Sequence, residues 1–67
     1  MPPLRDPRLT PIVGDKLELA SERTLRIVTG VKPDEVIWRY AGGAAKRTST
    51  LRAWQEEMFA AKIVTLG

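Results

Sequence analysis

The sequence predicts a mainly β fold: a small, strongly bent barrel of about five antiparallel strands, with one short helix before the last strand. Three observations predict it. Short apolar runs of strand character fall at 16–20, 24–31, 35–40, 45–48 and 62–66. Between the last two, Leu51, Trp54 and Met58 recur at helical spacing, which makes 50–61 the one helix. Turn chemistry at Gly14-Asp15, Lys32-Pro33-Asp34 and Gly42-Gly43 then sets boundaries independently of the apolar pattern.

Each element has its own reason. Residues 1–11 hold four of the five prolines and form an N-terminal arm, because proline lacks the amide a central strand needs. Chain ends fray unless tied down. Leu4, Leu9 and Ile12 are the side chains available to tie this one. Residues 12–67 form the domain. In the first strand Leu17 and Leu19 alternate with Lys16 and Glu18. In the second, Leu25, Ile27 and Val31 share one parity and Arg26 takes the other. Val28 breaks that alternation, as where a strand bends across a small barrel, and Gly30 is placed to form the bulge. Val36, Trp38 and Tyr40 share the inward parity of the third strand, with Ile37 and Arg39 opposite. Val28 and Ile37 thus fall on the parity opposite the main core set and would give an apolar outer face. Thr48, Ser49 and Thr50 are candidate helix caps. Glu56 and Glu57 sit late in the helix, where its dipole disfavours acids.

Composition narrows the function. A chain of 67 residues makes one domain and leaves stability modest unless another subunit helps. It has no cysteine and no histidine. Disulfides, thiolate metal clusters and Ser/His or Cys/His nucleophilic chemistry are therefore excluded, and the reading is a protein that is not an enzyme and needs no cofactor or metal. Eleven basic and eight acidic side chains give +3, with the basic residues spread along the chain. No apolar run approaches the about 18 residues of a membrane span, and the proline-rich start does not read as a secretory signal, so the expected setting is cytoplasmic, away from the membrane.

Val13-Gly14-Asp15-Lys16-Leu17-Glu18-Leu19 resembles the opening of SH3-like small barrels, in which a Gly-Asp turn leads into the first strand. The resemblance extends over about 12–66 through element order. Leu51-Arg52-Ala53-Trp54 near the end is similar to segments of small proteins of bacteria and their phages. The helix is longer than the single turn of the simplest such barrels. The resemblance implies a binding module whose aromatics cradle a proline-rich or methylated-lysine ligand. Trp38, Tyr40 and Trp54 are the candidates, against the plainer reading that the tryptophans are core.

A second constellation is basic. Arg39, Lys46, Arg47 and Arg52 form the densest set of cations, and antiparallel pairing around Gly42-Gly43 is expected to bring them together as a phosphate-contacting patch. Gly42-Gly43-Ala44-Ala45-Lys46 lacks the spacing of a phosphate-binding loop and reads as a hairpin. Asp34-Glu35 and Glu56-Glu57 are adjacent carboxylates that point apart, which suits surface and not an acid–base dyad. The sequence-level expectation is a non-catalytic binding or structural module. Its partner is a protein or a second copy, with a phage or mobile-element association. The alternative is a nucleic-acid-binding accessory protein using the basic hairpin.

Overall fold

The computed structural model describes residues 5–67; Leu4 lies outside them. The described chain is mainly β, with five antiparallel strands in one sheet and a short helix before the last strand. The strands are β1 (Lys16–Glu18), β2 (Leu25–Lys32), β3 (Glu35–Tyr40), β4 (Arg47–Thr50) and β5 (Lys62–Thr65), and the helix is α1 (Leu51–Glu57). Their order across the sheet is β4-β3-β2-β1-β5, leaving β4 and β5 as the two edges. Two boundaries differ from the sequence expectation. β4 starts two residues later than 45–48, because Trp38 pairs with Arg47 and residues 41–46 are spent on the connection. The helix stops at Glu57 instead of running to residue 61. Met58 leaves helical geometry and accepts from the Ala61 amide, reversing the chain into β5.

Thr50 ends β4 and caps α1, its hydroxyl accepting from the Ala53 amide at 3.1 Å. The core lies between one sheet face and this helix. Leu17, Val28, Val36 and Trp38 supply the sheet side; Trp54, Met58 and Ala61 close it from above. Each large side chain buried there contributes about 1.5–3 kcal/mol.

The parity expected for β2 is corrected. Arg26 opposes Tyr40 and Val28 opposes Trp38, so both face the core, and Val28 is 1% exposed. Gly30 then opposes Ile37, which leaves Thr29 as the extra residue of a bulge. The bulge moves the inward face from even to odd positions, so Val31 opposes Val36. Leu25, Ile27 and Ile37 are half-buried on the outer face. Val28 does not join them there.

The arm is packed onto the domain from Arg5 onward, but the side chains of Leu9 and Ile12 do not hold it; both are exposed. Pro7 and Pro11 are buried instead. The Trp54 indole N–H donates to the Pro7 carbonyl at 3.0 Å, and the Gln55 amide donates to the Leu9 carbonyl at 3.0 Å. Asp15 is the hub. Its carboxylate is fully buried and accepts from both terminal nitrogens of Arg5 at 2.6 and 2.7 Å. It also accepts from the Ile12 and Gly67 amides, each at 2.8 Å. Burial pushes the Asp15 carboxyl up, but the hydrogen bonds from Arg5, Gly67 and Ile12 outweigh it and hold it below the usual value. Gly14 before it needs glycine twice over. Its φ is +98°, and a Cβ there would meet the Gly67 Cα at 3.1 Å.

Candidate interaction surfaces

The three aromatics expected to form a cradle are not open. Trp54 is fully buried and Trp38 is 4% exposed, packed against each other with ring centroids 6.3 Å apart. Tyr40 is half-buried and meets Trp38 edge-on at 5.0 Å. Cations of the chain itself already lie over the remaining faces. The Arg26 guanidinium sits 4.0 Å from the Trp38 centroid, and Arg47 sits 5.1 Å from that of Tyr40. Trp38 also spends its indole N–H on the Ser49 hydroxyl at 3.0 Å.

Arg26 was not singled out by sequence, yet it organises this corner. It is 8% exposed and is bound by Glu22 at 2.7 Å and by Glu57 at 2.9 Å. That pairing explains the acidic residue at the end of α1: Arg26 offsets what the helix dipole disfavours. Burial pushes the Glu22 carboxyl up, while the Tyr40 hydroxyl and Arg26 draw it down further, leaving it below the usual range.

The expected basic patch is divided. Arg47 opposes Trp38 and lies on the core side of the hairpin, so Arg39, the neighbour of Trp38, points to the other face. Arg39 steadies the hairpin, its guanidinium donating to the Tyr40 and Gly43 carbonyls at 3.4 and 3.3 Å. Lys46 is exposed on the connection. Arg52 is elsewhere. β4 carries the chain to the opposite end of the sheet, where the Leu51 amide bonds the Asp34 carbonyl, and Arg52 there pairs with Glu56 at 3.3 Å.

A different surface stands out. Phe59 is 81% exposed and Leu9 is 54% exposed. With Arg52, Gln55 and Glu56 they line an open groove of about 540 Å³ along the outer side of α1. Leu9 also borders a second groove of about 500 Å³, reached by Pro11, Val31, Pro33 and Leu51. The result is an apolar strip, from Phe59 across Leu9 to Val31, flanked by the paired charges Arg52–Glu56 and Arg8–Asp6, with Lys32 at its Val31 end. The sequence held a signal for it. The Leu51, Trp54 and Met58 spacing marks the inward positions, and Phe59 falls outside that set, in the turn that follows the helix.

Among the described residues, no helix is long and apolar enough to cross a membrane, and no group of three His, Cys, Asp or Glu side chains stands together as for a metal ion. No known family model matches this chain, and no curated protein or solved structure is significantly similar to it.

Proposed function

We propose that this chain is a non-catalytic protein-interaction module of SH3-like type that docks through the Phe59–Leu9 strip, and that the partner the strip fits is a second copy of the chain. The observation that carries the reading is Phe59, a large aromatic left 81% exposed beside an exposed Leu9. Such a ring presents on the order of 150 Å² of apolar surface to water, and exposed apolar patches of this kind mark association sites. Self-association is favoured by the charges beside the strip. Arg52 and Glu56 lie one turn apart on the exposed side of α1. A two-fold axis crossing the helix near Gln55 sets Phe59 of one copy against the Arg52–Gln55 groove of the other, and each copy offers both plug and groove. Arg52 then has a carboxylate of either chain to pair with. A chain this small also gains from shared burial, since one core of this size leaves little margin.

The SH3-like part is supported by the Gly14-Asp15 turn ahead of β1, the unbroken antiparallel neighbours β1 to β4, and a helix between β4 and β5. The non-catalytic part is supported by the use made of Asp15: four donors saturate the buried carboxylate, which suits a structural hub and not a proton carrier.

Light scattering over a concentration series tests the reading. The wild-type chain is expected to approach twice its 7.5 kDa mass as concentration rises. Phe59→Ser is expected to stay monomeric with an unchanged melting temperature, because little of the ring is packed. Arg52→Glu should weaken association, and adding Glu56→Arg should restore it. A wild-type monomer at millimolar concentration overturns the proposal.

A further inference from the structure

The net charge of the chain is concentrated at one end of the sheet. The turn between β1 and β2 adjoins the β3–β4 connection there: the Ala41 amide bonds the Leu25 carbonyl at 2.9 Å, and the Thr24 hydroxyl reaches the Ala41 carbonyl at 3.5 Å. By register this end carries Arg23, Arg26, Arg39, Lys46, Arg47 and Lys62 against Glu18, Glu22 and Glu57. Six cations and three carboxylates leave +3, the whole formal charge of the protein. The other five basic and five acidic side chains cancel, mostly in pairs: Arg5 with Asp15, Arg8 with Asp6, Lys32 with Glu35 and Arg52 with Glu56. Lys62 stands opposite Glu18 in the ladder. Glu22 and Glu57 are held by Arg26. Among the described residues, no acidic group lies within ion-pair distance of Arg23, Arg39, Lys46 or Arg47.

Arg23 adds an independent sign. Its φ is +56°, a left-handed conformation that glycine adopts freely and an arginine adopts at a cost. The turn thus holds an exposed cation where glycine would be the easier residue. Between the cations, Gly42, Gly43, Ala44 and Ala45 carry little side chain, so a ligand backbone can come close.

We infer that this end, through Arg23, Arg39, Lys46 and Arg47, binds the phosphate backbone of double-stranded nucleic acid. Arg39 and Arg47 lie on opposite faces of the hairpin, so a backbone approaching end-on, across the Gly42-Gly43 connection, is the one that can reach phosphates from both sides. A duplex is favoured over a single strand because base-stacking needs open aromatic faces, and those of Trp38 and Tyr40 are covered by Arg26 and Arg47. The set differs from the sequence expectation by gaining Arg23 and losing Arg52. It shares no residue with the Phe59–Leu9 strip, so either can fail alone.

The test is fluorescence anisotropy with a labelled 20-base-pair DNA duplex, against the same length of single strand and against polyglutamate as competitor. Binding to the duplex should weaken about 100-fold between 50 and 200 mM salt, with a log–log slope of about −3 to −4 for four contacts. Arg23→Gly should lower the slope by about one while leaving the protein at least as heat-stable as wild type, a result that loss of folding does not imitate. Lys46→Ala should lower the slope similarly, and Lys32→Ala at the far end should leave it unchanged. Absence of binding at 50 mM salt, equal loss in Lys32→Ala, tighter binding to the single strand, or displacement by polyglutamate at matched charge overturns the inference.

Discussion

Asp15→Asn removes the charge from the hub that ties residues 5 and 67 to the start of β1. The carboxylate accepts four hydrogen bonds at 2.6–2.8 Å with none of its surface exposed. An asparagine keeps the shape but has one acceptor oxygen, and its amide group faces donors. Hydrogen bonds to charged groups contribute about 1.5–3 kcal/mol each, and leaving a buried partner unpaired costs about 1–3 kcal/mol. Breaking a fully buried ion pair costs about 3–5 kcal/mol. Arg5 retains 25% side-chain exposure and can rehydrate, which lowers that figure. The net loss expected is roughly 2–4 kcal/mol. Globular chains hold about 0.05–0.15 kcal/mol per residue, so this removes a large share of the total. In a domain of this size it lowers the melting temperature by roughly 10–25 °C.

Urea unfolding followed by tryptophan emission reads this directly, since Trp54 lies under the arm. The pH dependence supplies a second reading. The folded Asp15 carboxyl titrates below its usual value. Its contribution is therefore complete above the unfolded carboxyl pKa and is lost as pH falls through the lower folded value. The gap between wild type and Asp15→Asn should be widest near neutrality and close in acid. A neutral-pH difference under about 0.5 kcal/mol, or a gap that persists in strong acid, refutes the hub assignment.

Two further substitutions probe the core and the arm. Arg26→Ala should cost about 2–3 kcal/mol in chemical denaturation, through lost stacking on Trp38 and lost pairing with Glu22 and Glu57, and should raise the Glu22 carboxyl pKa measured by NMR titration. Trp54→Phe leaves the buried Pro7 carbonyl without its donor; it should cost about 1–3 kcal/mol and speed tryptic cleavage after Arg5 and Arg8 relative to cleavage within the sheet.

The fold was legible where local chemistry decides it. Lys32-Pro33-Asp34-Glu35 holds the β2–β3 turn, and the alternation of Val36, Trp38 and Tyr40 gave the inward face of β3. The face of β2 was not legible, because the bulge at Thr29 swaps parity midway and Arg26 occupies a core position that only tertiary partners make tolerable. Asp15 was legible as a turn former; its four donors come from residues 5, 12 and 67, which local reading does not bring together. Trp38, Tyr40 and Trp54 were visible as a group, but sequence does not tell an open ring from one covered by its own arginine. The basic set was expected to gather Arg39, Lys46, Arg47 and Arg52 at the Gly42-Gly43 hairpin; which turns adjoin is decided by distant pairings, which bring Arg23 to the β3–β4 connection and send Arg52 away. Phe59 was readable only as a residue outside the Leu51, Trp54 and Met58 spacing, because the turn that carries it begins where the helix ends at Glu57.

The central claim is that the Phe59–Leu9 strip is where the molecule meets its partner. Amide NMR spectra recorded on dilution from millimolar to low micromolar concentration test it most directly. Concentration-dependent shifts centred on Leu9, Arg52, Gln55 and Phe59 are expected, absent in Phe59→Ser. Shifts confined to the β5 edge at Lys62–Thr65, or spectra that do not change with concentration, would contradict it.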